Sequence, residues 1–203
     1  MVKSYRIETD SLGKKKVPFS AYYGAQTQRA IENFPISGVT HSSEFLDSYL
    51  IIKKTAAKTN MKLKLLDKKL ALVIMKSADE ILAGKFRDQF VVDVFQMGAG
   101  TSFNMNCNEV LANRSNQLLK KNLGEYDPIN PNDHVNMSQS TNDTFPTAMR
   151  LSILFTIVDL EEELKLLSLS FRDKSKQFDK IIKSARTHLQ DAVPITLGQE
   201  FKA

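Results

Sequence analysis

The chain has no tryptophan, one cysteine and six prolines in 203 residues. So little proline excludes collagen-like and proline-rich disordered classes. The single Cys107 excludes an intrachain disulfide and a cysteine-cluster metal site, and it suits a reducing cytoplasm. No apolar run approaches the ~20 residues that span a bilayer, so no membrane partner is expected. Residues Met1 to Arg6 have no apolar stretch behind their charge and do not read as a secretory signal. A glycine-rich phosphate loop, a His-x-x-x-His pair and a nucleophile elbow are all missing.

What remains is an ordinary globular composition, 42% hydrophobic and 25% charged, with a net charge of +5. The lysines are dispersed. Lys14-Lys15-Lys16 is the longest cationic run and lies beside Gly13 in a turn. Lys62, Lys64, Lys68 and Lys69 alternate with leucines, as on the wet side of an amphipathic helix. Aromatics are not interleaved with the basic residues, so a nucleic-acid partner is not expected.

The organisation reads as mainly α. Residues 4–18 form a small N-terminal β-hairpin around Ser11-Leu12-Gly13. A loop and a short helix follow, ending before Pro35. Leu46, Tyr49, Leu50, Lys53, Ala57 and Asn60 recur at helical spacing, with Ile51 and Ile52 widening the apolar face. Asp67 is placed to cap the next helix, whose face carries Leu70, Ile74, Ala78 and Ile81 and which ends at Gly84. Residues 90–96 look extended. A helix then runs from the Gly98–Ser102 segment to about Lys121, a polar loop with Pro128 and Pro131 fills 123–139, and a long helix covers about 141–179. From Leu151 to Leu169 that helix is apolar on nearly every side and needs partners this chain does not supply. The division implied is an N-terminal domain over 1–139 and, over 140–203, the beginning of a central helical-bundle domain.

Three segments gather small hydroxyl and amide groups at turns or helix starts. In Gly98-Ala99-Gly100-Thr101-Ser102 the glycines permit close approach, and the helix that follows directs free N–H groups at the loop. Thr101 or Ser102 could simply cap that helix. In Ser138-Gln139-Ser140-Thr141-Asn142-Asp143, Ser140 and Asp143 resemble a capping box, yet the donors exceed what a cap requires. Two such starts facing one another would suit a molecule with two carboxylates. The third segment, Arg186 to Asp191, holds Thr187 and His188 in what reads as a polar, ligand-facing turn. His134 is a second histidine candidate, with a structural loop role as the alternative. His41 follows Thr40 in an apparent linker and reads as incidental.

As strings, GAGTSFNMNCNEVLAN, NPNDHVNMSQSTNDTFPTAM and RTHLQDAVPITLGQEF closely resemble the aspartase/fumarase superfamily, as does the stretch from Tyr22 to Ala30. GAGTS, SQSTND and DAVP are nearer the aspartase branch than the class II fumarase branch, whose members usually read GSGTQ, SQSSND and DATP. Ala25 to Arg29 is more fumarase-like. The resemblance implies reversible conversion of L-aspartate to fumarate and ammonia, with no cofactor and no catalytic metal. Fumarate hydration and a non-enzymatic dicarboxylate-binding module are the alternatives. It further implies that Thr101, Ser140, Thr141, Asn142, Thr187 and His188 bind substrate. The family's proton-abstracting serine lies in a loop resembling GSSxMPxKxNP. That motif does not occur here, so the chain reads as an N-terminal fragment without its own base. A cytoplasmic homotetramer with sites shared between subunits is the implied assembly.

Overall fold

In the computed structural model, which describes residues 4–203, β1 (Tyr5–Asp10) pairs antiparallel with β2 (Gly13–Pro18). Asp10 accepts the Leu12 amide at 2.9 Å, and Gly13 takes φ +106, a conformation that glycine adopts without strain. Arg6 then donates to the carbonyls of Pro18, Phe19, Ala21 and Tyr23. Those bonds set the path into α1 (Ala25–Asn33), which stops before Pro35.

Helix α2 (Ser43–Lys62) starts where the Ser42 hydroxyl accepts the Phe45 amide. Its stripe of Leu46, Tyr49, Leu50, Lys53, Ala57 and Asn60 is buried as the spacing predicts. Ile51 is instead exposed and, with Ile52, Leu63, Leu65 and Leu151, lines an apolar groove of about 480 Å3. In α3 (Lys68–Leu82) Asp67 accepts the amides of Lys69 and Leu70, and Gly84 ends the helix at φ +99. Lys64 is not on a helix face. It turns the chain between α2 and α3 with φ 59.

Between α3 and α4 (Thr101–Leu118) the structure corrects the extended reading of 90–96. Only an isolated bridge, Thr40 with Asp93, forms there. The reason is that side chains claim the backbone. Asn106 binds the Val91 amide and the Gln89 carbonyl, while Asp93 accepts the amides of Ser37, Gly38 and Phe95. Few backbone groups are left for a neighbouring strand. Helix α4 itself is buried from Ser102 to Asn113 and lies at the centre of the unit that extends to Ile153.

The long helix α5 (Thr141–Gln177) is present as expected. Residues from Leu154 to Ala203 form a second compact unit. In it, β3 (Ile182–Thr187) and β4 (Gln190–Thr196) make a hairpin that leads into α6 (Leu197–Lys202). The hairpin goes beyond the sequence reading, which saw only a turn. Pro194 and the polar run through His188 hide the strand alternation. Gly198 packs so closely that a Cβ there would meet the Ser175 carbonyl at 2.3 Å. Thr196 and Gln199 form a complete capping box.

Leu154, Phe155, Val158, Leu160, Leu164 and Leu167 of α5 are each 48–63% exposed. An apolar surface of that extent drives association. The chain should therefore elute above monomer mass in size exclusion with light scattering. A monodisperse monomer that binds no hydrophobic dye would contradict this.

Candidate functional site

The start of α4 is built without a cap of its own, contrary to the reading of Thr101 or Ser102 as capping residues. Ala99 and Gly100 hold positive φ, and Gly100 occupies the N-cap position with no side-chain bond. The Phe103 amide is instead taken by Gln96 Oε1 at 2.6 Å. With its oxygen committed, Gln96 turns its amide nitrogen to the Asp93 carbonyl at 3.1 Å and to His41 Nε2 at 3.0 Å. His41 must then accept at Nε2, which only the neutral ring can do. Burial favours that form and lowers the His41 pKa, although Asp93 acts in the opposite direction. The ring stacks on Phe45 and meets Phe103 edge-on, so His41 is not incidental. Capping from outside leaves the Thr101 hydroxyl with only a long 3.4 Å contact to the Gly98 carbonyl. A cavity of about 180 Å3 opens beside it, lined also by Asp10, Gln26, Arg29 and Ser102.

At the start of α5 the Ser140 hydroxyl accepts the Asn142 amide at 3.2 Å. The Asp143 amide goes to the Ser140 carbonyl, so Ser140 caps the helix but no capping box with Asp143 forms. Among the described residues, no hydrogen bond engages the side chain of Thr141 or Asn142. Pro146 also lacks the N–H that would bind the Asn142 carbonyl. The two helix starts are neighbours: a Cβ on Gly100 would lie 1.9 Å from the Phe145 ring. Only glycine permits that approach, and its φ of +73 suits glycine as well.

Behind both starts lies a buried polar network that sequence reasoning missed. Lys53 of α2 is fully buried and donates to Asn104 Oδ1 at 2.7 Å and to Asn136 Oδ1 at 2.9 Å. Tyr49 Oη lies 3.0 Å from Asn104 Oδ1 and 2.9 Å from Thr144 Oγ1. Burial pushes the Lys53 ammonium down to about 7 and pushes the Tyr49 phenol and Cys107 thiol up. A lysine in the middle of a mainly apolar stripe is the signal that could have found this network.

Thr101, Ser140, Thr141 and Asn142 thus lie in the first unit, at the starts of two helices that touch through Gly100 and Phe145. Thr187 and His188 lie in the second, exposed at the β3–β4 turn, with His188 and Leu189 both at positive φ. His134 takes the structural role, accepting the Asn130 amide at Nδ1. Among the described residues, no group of three or more His, Cys, Asp or Glu could hold a metal ion, and no helix is long and apolar enough to cross a membrane.

A family model described as "Lyase" matches residues 13–203. The chain belongs to this lyase family. An aspartate ammonia-lyase from a Bacillus species is 54% identical over 198 residues, which is 98% of this chain and 42% of that protein. A class II fumarate hydratase from Halobacterium salinarum is 52% identical over 202 residues, covering 99% of this chain and 43% of that protein. Among solved structures, a fumarate lyase:delta crystallin from Brucella melitensis superposes with a TM-score of 0.82 at 49% identity, covering 97% of this chain and 45% of that one. The aspartase/fumarase resemblance and the mainly helical fold of the family therefore hold. The chain spans 42–43% of the length of these curated relatives.

The lyase fold carries a measurable cost at Lys53. In the unfolded chain a lysine titrates near ~10.4, whereas in the fold burial brings Lys53 to about 7. Below about pH 7 both states hold the proton, and this contribution does not vary. Above it the unfolded chain binds more protons, so stability rises with pH, at most by about 1.4 kcal/mol per unit. Urea unfolding across that window should show the rise in wild type and not in Lys53→Met. Parallel pH profiles would contradict it.

Proposed function

We propose that these residues form the carboxylate-binding part of an aspartate ammonia-lyase, which converts L-aspartate to fumarate and ammonia. The observation that carries the reading is the contact between two helix starts, Gly100 against Phe145, together with Thr141 and Asn142 side chains that no hydrogen bond engages among the described residues. Elimination removes a proton from the carbon next to a carboxylate, and the intermediate gathers two negative charges on that carboxylate. Preorganised donors and helix N-termini stabilise such charge. Thr101, Ser140 and Thr141 are assigned to carboxylate contacts. Asn142 and His188, with Thr187 beside it, serve the amino group and the other carboxylate. The base is the serine of the family's loop motif, which this sequence does not contain.

Residues 140–203 are read as the beginning of a central helical bundle and 1–139 as the domain before it. A cytoplasmic homotetramer whose subunits share sites would cover the exposed apolar residues of α5, and this supports the assembly. No cofactor or catalytic metal enters the scheme. Fumarate hydration is the second reading, favoured by the 52% identity with the Halobacterium fumarase.

These 203 residues alone should not release fumarate from aspartate, because no base is positioned to take the proton. Ultraviolet absorbance of fumarate is the assay. Turnover at an ordinary enzyme rate, free of host enzyme, would remove this account of the base.

In the complete protein, kcat/KM for aspartate and malate separates the two readings. A wild type that prefers malate is a fumarase. Thr101→Ala should lower turnover of both substrates, which share their carboxylates. Asn142→Ala should cost about 2–4 kcal/mol in transition-state stabilisation for aspartate, the scale of one lost preorganised donor. Unchanged aspartate kinetics in Asn142→Ala would take the α5 start out of the site.

A further inference from the structure

We infer that Lys53 is a positioning residue that holds the starts of α4 and α5 in register with one another. The inference rests on the reading of those two starts as the substrate site. Stability alone does not account for a lysine here. Taking an amine fully out of water costs several kcal/mol, and an apolar side chain of similar volume avoids that cost. What a methionine cannot do is donate two hydrogen bonds in different directions, and Lys53 uses both.

One bond fixes α4. Asn104, the acceptor at 2.7 Å, stands one turn after Thr101 on the same helix. The other fixes the approach to α5. Asn136 Oδ1 receives three donors: Lys53 Nζ at 2.9 Å, Asn104 Nδ2 at 3.2 Å and Asn108 Nδ2 at 3.3 Å. With its oxygen so committed, Asn136 can present only its nitrogen to the Gln139 carbonyl, 3.2 Å away. That carbonyl belongs to the peptide entering Ser140.

A second arm reaches the far side of Ser140. Tyr49 Oη meets Thr144 Oγ1, which donates to the Ser140 carbonyl at 3.2 Å. Both peptides flanking Ser140 are therefore held from α2, which also holds Asn104. Lys53 touches no substrate in this scheme. It acts through Asn104 and Asn136, and either protonation state of the amine retains the two donors it needs. Displacement of a binding group by about 1 Å can cost on the order of a hundredfold in rate, so such bracing matters to a site built on two separate helices.

Residue-resolved amide exchange on this chain tests the inference without any activity. In Lys53→Met the amides of Asn142, Asp143 and Thr144 should exchange about tenfold faster, the scale of one lost charged or buried hydrogen bond. The hairpin amides of Arg6 and Val17 should keep their wild-type rates. Uniform acceleration along the chain means a merely structural lysine and overturns the proposal, as does no change at 142–144. Should Lys53→Met fail to fold, Tyr49→Phe reads the second arm at nearly constant volume. It should speed the same three amides about threefold and spare the hairpin, and unchanged rates there overturn the proposal equally. In the complete protein, Lys53→Met should raise KM for aspartate about tenfold while kcat falls by a smaller factor. The reverse split would overturn positioning. A wild type inactive on both aspartate and malate would remove the lyase reading, whereas the exchange pattern reports on the brace alone.

Discussion

Helix α4 is buried on every side although much of it is polar, and the unit around it is arranged to satisfy those side chains. A buried amide without partners costs about 1–3 kcal/mol, and among the α4 asparagines only Asn108 has a buried oxygen that no group reaches. The partners come from loops. Asn106 takes the Val91 amide and the Gln89 carbonyl, and Asn116 takes the amide and carbonyl of Ile129. Asn113 bridges the Tyr22 carbonyl and the Gly124 amide. Glu109 accepts the amides of Gly24, Gln26 and Thr27 at the first turn of α1, where a carboxylate also meets the positive end of the helix dipole. Burial raises the Glu109 pKa and these bonds oppose the rise.

Loops pinned in this way act as structure, and that is how α4 can begin without a cap of its own. Gln96 lies in one of those loops and supplies the missing acceptor from outside. The hydroxyl that would otherwise be spent on capping is then available to a ligand. The same economy appears at Gly100, where the lack of a side chain allows Phe145 to close against the helix start. Packing and polarity thus converge on one place, the junction of α4 and α5.

Much of this was legible in the residues. The N-terminal hairpin, the stripe on α2, the Asp67 cap, the Gly84 stop and the long α5 all follow from local chemistry, which the fold leaves intact. The misreadings share a cause: in each, a side chain distant in sequence overrides local preference. Residues 90–96 are β-rich in composition, but the Val91 amide goes to Asn106 and the Asp93 carboxylate holds the amides of Ser37 and Gly38. His41 looked like linker because its partners, Gln96 and Phe103, lie more than fifty residues away. The burial of the α4 asparagines was not visible, since nothing local reveals that loops will pair with them. For the candidate site, the helix starts carrying Thr101 and Ser140 to Asn142 were visible as clusters of donors. Their contact through Gly100 and Phe145 was not, because it depends on tertiary packing.

That contact has an electrostatic consequence. Each helix N-terminus carries roughly half a positive charge, and like charges brought close repel. Lys53 adds a further cation behind them when protonated, and the net charge of the chain is already +5. None of the hydrogen bonds around Lys53 comes from a carboxylate; its acceptors are neutral amides. Of the two starts, that of α5 has a carboxylate in its first turn, Asp143, whereas that of α4 has none. An anion placed between the two starts relieves the repulsion and gains from both dipoles, so it favours the arrangement that binds it. A neutral molecule of the same shape would gain only contacts. On the proposed reading of the site, charge therefore favours anions as a class, and Asn142 is the group assigned to distinguish among them.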